Sequence, residues 1–398
     1  MEIGSALTGI RIIDFSHVFQ GPLGSQLLAD YGADIIKVER PGFGDWSREW
    51  GPFIKKVSLP FAGLNRNKRS IAFDMKTIAG REIAIKLVES ADVLMHNFRP
   101  GVMEKVGLGY KDVKLINPRL IYAYSTGWGD QGPNVDRRRM GHDMLARAEA
   151  GWFYTPDPDQ PPVVVGISSD YPAGLMLIIG ILMALQAREK TGKGQLVSTD
   201  LFSVALHAHA WEAAEFLNRE KIDNQNGIGA TEGAINKIFK TMDGYIEISP
   251  VFSPDALKDI SVALGLENLI EDPRFKKKSD RILNKAHLNK ILADKLSQKT
   301  TEEWINLLEP QGILCAKVKC LSEALDDPQT EANHMILNMV HDDCGEIKLL
   351  GTPVRLHDTQ PSMRLAPPAL GEQSEEILNE LGYSKEEIQQ LRADGIIA

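Results

Sequence analysis

Asp170 lies in Gly166-Ile167-Ser168-Ser169-Asp170-Tyr171-Pro172-Ala173-Gly174, directly ahead of the longest apolar run, Ala173 to Leu185. An Asp at a helix start with Pro in the first turn is an ordinary capping arrangement. The same carboxylate, if a substrate reaches it, can attack a thioester and split one difficult exchange into two easier steps. The two roles are compatible. His142, in Gly141-His142-Asp143 after Arg137-Arg138-Arg139, is a second candidate, since an imidazole exchanges protons near neutral pH. The plain alternative is a surface or hydrogen-bonded His.

Anions have candidate partners as well. Asp14-Phe15-Ser16-His17-Val18-Phe19-Gln20-Gly21-Pro22 is a polar loop between a strand and a helix, where exposed helix N–H groups favour negative charge. It contains no G-x-G-x-x-G, so a dinucleotide has little support. Arg40, in Glu39-Arg40-Pro41-Gly42-Phe43-Gly44-Asp45, follows the next strand and can meet a phosphate or stay solvated. Asn65-Arg66-Asn67-Lys68-Arg69 is the densest basic cluster of the first half. With Arg40, Arg99 and Lys105 it supplies the charge that a ligand with several phosphates needs, although a solvated loop is the commoner use of such a run. Asn226-Gly227-Ile228-Gly229 is either a flap over a site or a linker. No grouping of His, Cys, Asp and Glu has metal-ligand spacing, and there is no G-x-S-x-G elbow.

The elements that must position these residues follow from periodicity. Ile10 to Phe15, Asp34 to Glu39, Ser70 to Phe73, Val93 to Met95, Leu120 to Tyr124 and Gln195 to Leu201 read as strands. Helices alternate with them, one opening at Gly21-Pro22 and ending at Gly32, another from Thr77 to Ser90. The pattern predicts an α/β fold with a mostly parallel sheet. Ala173 to Leu185 is shorter than the roughly 20 residues of a bilayer span and reads as a buried helix. Three segments are expected: a large domain over 1–218, a linker and small domain over 219–332, and a return segment over 333–398. The linker is centred on Glu220 to Gly233. The small domain starts with a strand at Tyr245 to Ser249, and a last helix from Glu372 to Leu381 packs back on the large domain.

With 43% hydrophobic and 25% charged residues among 398, the chain can bury sizeable cores in two domains. A formal net charge of −9 argues against a nucleic-acid binder. Cys315, Cys320 and Cys344 are odd in number and lack the spacing of a zinc or redox motif, so they read as free thiols in a reducing compartment. Met1 to Gly9 has no signal-peptide pattern, and a soluble cytoplasmic protein without a membrane partner is expected.

Taken together, the ordered motifs resemble the class III CoA-transferase family, which includes carnitine CoA-transferase and the bile-acid-inducible proteins. The carriers are Gly9-Ile10-Arg11-Ile12-Ile13-Asp14-Phe15 and Gly32-Ala33-Asp34-Ile35-Ile36-Lys37-Val38-Glu39-Arg40-Pro41-Gly42-Phe43-Gly44-Asp45. They continue with Asn67-Lys68-Arg69-Ser70-Ile71, Asp74-Met75-Lys76, Asn97-Phe98-Arg99-Pro100-Gly101, Ser168-Ser169-Asp170 with Gly174, and Lys190-Thr191-Gly192-Lys193-Gly194-Gln195. The resemblance implies a Rossmann-like large domain, a smaller α+β domain, and a homodimer of two chains interlocked as rings. It implies transfer of CoA from an acyl-CoA to a free carboxylic acid through an Asp170 anhydride and an aspartyl-CoA thioester, with CoA as substrate and no tightly bound cofactor. Catalysis would fall to Asp170, His142 and Gln20. CoA would be held by Val18, Phe19, Arg40, Phe73, Asp74, Met75, Lys76, Asn97, Phe98, Arg99, Lys105 and Arg139, with Gly227 and Gly229 in a substrate loop. Phe19 stands between His17-Val18 and Gln20, whereas oxalate-type members put Gln directly after His-Val, which points away from oxalate and formate. The family's 2-methylacyl-CoA racemases carry Gly-His-Asp where Gly141-His142-Asp143 stands. The alternative is therefore a racemase with His142 and Asp170 as paired bases, disfavoured by the absence of an Ala-Pro-Phe-Tyr run in Gly233 to Pro250.

Overall fold

The computed structural model describes residues 5–154, 161–221, 237–250 and 253–398. Its frame is a sheet of six strands, β1 Arg11–Asp14, β2 Asp34–Glu39, β3 Lys68–Ala72, β4 Val93–His96, β5 Ile121–Thr126 and β6 Leu196–Asp200. Every neighbouring pair is parallel. Ile12, Ile13, Ile35, Ile36, Ile71 and Val93 are all buried. Both sheet faces are therefore covered, which is why the strands read as apolar runs and not as alternation.

The spatial order is β3-β2-β1-β4-β5-β6, the order of a Rossmann-type doubly wound sheet. Direction of winding reverses between β1 and β4, and ligands of such sheets bind beyond the carboxyl ends at that point. Four helices set the functional edge: α1 Gln20–Asp30, α2 Ile78–Glu89, α3 Asp143–Glu149 and α4 Asp170–Thr191. Pro22 sits in the first turn of α1, and Thr77 caps α2 by accepting from the Gly80 amide at 3.0 Å.

The α4 helix departs from expectation. Ala173, Leu177, Ile181 and Ala184 are buried, but Met176, Ile179 and Leu182 are each 40% exposed and Met183 is 68% exposed. The helix is apolar all round, while within one chain only one of its faces has a neighbour to pack against.

The chain divides into two compact units, residues 1–213 with 332–398, and residues 214–331. The second unit has its own antiparallel sheet of β7 Lys237–Lys240, β8 Tyr245–Ile248 and β9 Cys315–Lys317. Around it pack α5 Ala256–Leu264, α6 Lys285–Leu296 and α7 Thr301–Leu308, with Trp304 buried and donating to the Leu296 carbonyl at 2.7 Å. In the first unit the return segment adds the hairpin β10 Ile336–His341 and β11 Gly345–Leu350. It then adds α8 Ser374–Glu380 and α9 Lys385–Ala393, whose Ile377, Leu378, Ile388 and Leu391 complete the core over β3 and α2.

Candidate active site

Loop 15–20, after β1, sits at the switch point of the sheet. Asn97, after β4, clasps it: its side-chain carbonyl accepts from the His17 amide at 2.9 Å and its Nδ2 donates to the His17 carbonyl at 2.8 Å. The two strand ends that flank the crevice are thus tied together. Beneath the loop lies a buried ionic layer. Asp14 is fully buried and accepts from Ser25 Oγ at 2.5 Å and from Lys68 Nζ at 3.5 Å, while Glu39 takes a bidentate pair from Arg48 at 2.8 and 2.7 Å. Such groups are tolerated out of water only because each is paired and hydrogen-bonded. Gln20, the first residue of α1, is buried and accepts from Ser125 Oγ at 2.6 Å, so β5 fixes its orientation. Its Nε2 has no partner among the described residues and is free to donate.

Asp170 is the first residue of α4, and α4 begins beside the start of α1. A Cβ built on Gly174 would stand 2.5 Å from the Gln20 carbonyl oxygen, so only glycine lets the helices approach this closely. Two helix N-termini, each a positive dipole end, therefore converge on one spot; the Gln20 and Gly21 N–H groups at the start of α1 have no partner among the described residues, whereas Asp170 and Tyr171 at the start of α4 donate to the Ser168 hydroxyl and carbonyl. The Asp170 carboxyl is nonetheless pushed up to about 6, mainly by burial and then by the nearby Asp143 carboxylate, against smaller opposing effects of His142 and Ser168. A carboxylate raised in this way is a stronger base, and hence a better nucleophile, than a solvated one.

Asp143 fastens the start of α4. It accepts from the Ser169 amide at 2.6 Å and the Ser169 hydroxyl at 2.7 Å. Arg147, one turn along α3, lies 3.5 Å from Asp143 and donates to the carbonyls of Val165 and Gly166. Together they hold the segment that leads into Asp170. His142 caps α3: its Nδ1 accepts from the Met144 amide at 3.2 Å, which leaves Nε2 as the nitrogen carrying a proton. The ring is exposed. Gly141 sits against Gly127 at the end of β5, where a Cβ on Gly141 would stand 2.6 Å from the Gly127 Cα, and this contact brings His142 and Asp143 to the carboxyl edge.

Arg40, Lys76, Arg99 and Lys105 are exposed and have no side-chain partner among the described residues. Arg40 follows β2, Lys76 follows β3, and Arg99 and Lys105 follow β4. In a parallel sheet these positions share one edge with loop 15–20. A row of unpaired cations there suits a ligand with several phosphates.

Other residues singled out by sequence have different surroundings. The 65–69 cluster is neither solvated nor available to phosphate. Arg66 is buried and bidentate to Asp30 at 3.0 and 2.5 Å, Lys68 reaches Asp14, and Arg69 pairs with Asp34, Glu376 and Glu380. Composition shows the charge but not the carboxylates from distant segments that neutralise it. Phe73 is a core residue, 1% exposed, so its side chain presents no surface to a ligand. The Asn97 side chain is committed to His17, which makes it a fastening of the loop. Arg139 is ion-paired with Glu149 and lies over the Trp128 ring at 4.5 Å. Val18, Phe19, Asp74, Met75 and Phe98 are half-buried around the loop and the β3 and β4 ends. Gly227 and Gly229 lie outside the described residues. Asp143 and Arg147 were not singled out from sequence as parts of the site; the one available signal was that Asp143 directly follows His142.

A doubly wound α/β protein whose carboxyl sheet edge brings together unpaired cations and a half-buried carboxylate at a helix start is the class that fold and site define. Comparison with known proteins narrows it: residues 7–374 match CoA-transferase family III, and the chain belongs to that family. It is 38% identical to an acyl-CoA transferase of Fusarium pseudograminearum, over 98% of this chain and 88% of that protein. It is 33% identical to the human succinyl-CoA:glutarate CoA-transferase, over 98% and 90%. A CAIB/BAIF family protein from Brucella suis of known structure superposes with a TM-score of 0.82 at 32% identity, covering 95% of this chain and 100% of that one. The protein is an enzyme of the class III CoA-transferase type.

Proposed function

We propose that this enzyme moves CoA from an acyl-CoA to a free carboxylic acid with Asp170 as nucleophile. The observation that carries the proposal is the Asp170 carboxylate, raised to about 6 at the point where two helix N-termini converge, with the preceding Ser169 held by Asp143. An Asp170 oxygen attacks the thioester carbonyl and expels the CoA thiolate, leaving a mixed anhydride. The thiolate attacks the aspartyl carbon of that anhydride, the donor acid leaves, and an aspartyl-CoA thioester remains. An acceptor carboxylate attacks this thioester and releases thiolate again. In the last step the thiolate attacks the acceptor's acyl carbon and returns Asp170 as carboxylate. Gln20 Nε2 and the free N–H groups at the start of α1 stabilise the oxyanion formed at each attack. Arg40, Lys76, Arg99 and Lys105 hold the CoA phosphates, and the backbone turn at Val18, with the Phe19 and Phe98 side chains, carries the rest of CoA.

The exposed apolar face of α4, with Met176, Ile179, Leu182 and Met183, supports a homodimer in which the partner covers it. Three free cysteines support residence in a reducing compartment such as the cytoplasm. Because succinyl-CoA:glutarate enzymes match nearly the whole chain, dicarboxylic acids such as glutarate lead the acceptor panel.

The test incubates the enzyme in D₂O with acyl-CoAs, with and without free acids, and follows thioesters by mass spectrometry together with the peptide that contains Asp170. New acyl-CoA that requires the acid, with CoA attached to that peptide, is expected. Deuterium at the donor α-carbon without CoA exchange would overturn the proposal in favour of proton transfer by His142 and Asp170.

A further inference from the structure

Val18 has φ +71, a left-handed conformation that is unfavourable for a β-branched residue. Something must hold it there. Its amide donates to both oxygens of Asp45, at 3.0 and 3.2 Å. Asp45 is completely buried and also accepts from the Ser47 amide and hydroxyl, both at 2.8 Å, and from Lys37 Nζ at 2.8 Å. Lys37 is equally buried and donates to the Ser16 carbonyl at 2.9 Å. Backbone groups on both sides of the bend are therefore gripped by one ion pair from β2 and the turn that follows it.

We infer that Asp45 is a positioning residue of the acyl-CoA site: its carboxylate holds Val18 in the left-handed conformation and so sets the turn that delivers Phe19 and Gln20 to the start of α1. The inference rests on the CoA-transferase reading of this site. Released from Asp45, Val18 relaxes to negative φ, which swings the next peptide and misplaces Phe19 and the first N–H groups of α1. A buried carboxylate that served only the fold would need Lys37 and Ser47 as partners; the bidentate hold on a strained residue at the ligand edge is the additional feature.

Wild type, Asp45→Asn, Val18→Gly and the double variant are compared by titration with CoA and by initial rates of transfer. Asp45→Asn is expected to weaken CoA binding and raise KM for acyl-CoA at least about tenfold, the scale of a small misplacement. Adding Val18→Gly recovers most of that loss, because glycine holds a positive φ without restraint. A purely structural Asp45 would lower the melting temperature with no recovery from the glycine. Wild-type affinity for CoA in folded Asp45→Asn, or a double variant no better than the single, overturns the inference. If Asp45→Asn does not fold, Val18→Gly alone decides: a melting temperature above wild type is expected from relief of strain, and an unchanged or lower one overturns it. A wild type that neither binds CoA nor transfers it is a failure of the proposed function, seen before any variant is made.

Discussion

At the scale of residues, Asp170 governs pH dependence in two separate ways. As the proposed nucleophile it must be ionised, so kcat/KM should fall about tenfold per pH unit below about pH 6, measured across buffers of constant ionic strength. Its effect on stability has the opposite sense. The folded state holds the Asp170 proton more tightly than the unfolded chain, whose carboxyl keeps the ordinary value near 3.8. Stability therefore declines as pH rises from about 4 to 6 and stays lower above that window. Asp170→Asn should be more stable than wild type at pH 8, by on the order of 1 to 2 kcal/mol, with no gain at pH 4, as read by denaturant melts. The same variant should lose at least about 10⁴-fold in kcat, the scale of removing a nucleophile. His142→Ala should lose far less. The role of Asp143 was not legible in the sequence: its place after His142 was the one signal, and its partner, Ser169, is remote in the chain. The same blindness applies to Arg66, Lys68 and Arg69, whose carboxylates come from residues 14, 30, 34, 376 and 380.

At the scale of elements, what is local was legible. β2 has the bounds expected, β1 and β4 lie within a residue or two of theirs, and α2, expected over Thr77 to Ser90, runs Ile78–Glu89 with Thr77 as its cap. Apolar runs and caps are properties of neighbouring residues, so a window of sequence contains them. The closeness of α1 to α4 is not such a property: Gly174 sits next to Gln20 only once the sheet has brought residues far apart in sequence together. Gly174→Ala should force the helices apart, costing roughly 1 to 3 kcal/mol and lowering kcat, measured by thermal melts and turnover. A variant that melts lower but turns over normally would show that the spacing matters to folding alone.

At the scale of the whole molecule, the apolar all-round composition of α4 was legible and its consequence was not. A run such as Ala173 to Leu185 announces burial without saying which chain does the burying. Under the proposed homodimer, replacing Met183 by Glu should shift the enzyme toward monomer in light scattering and leave the isolated chain's secondary structure unchanged, since that side chain is 68% exposed in the single chain; a wild type that is itself monomeric would overturn the proposed dimer. The buried Arg66–Asp30 pair makes the converse case. Asp30→Ala strands a guanidinium that is 2% exposed, and should cost on the order of 3 to 5 kcal/mol in a denaturant melt.

The first compact unit draws its core from both sides of the second in sequence. Ile377, Leu378, Ile388 and Leu391 close the hydrophobic layer over β3, and the Ala398 amide donates to the Ala72 carbonyl. As the polypeptide leaves the ribosome, residues 1–213 emerge well before the segment that seals them, while residues 214–331 emerge as one continuous piece. Vectorial synthesis thus lets the later-encoded unit close first, and leaves the earlier one waiting, its apolar layer open, until the return segment arrives.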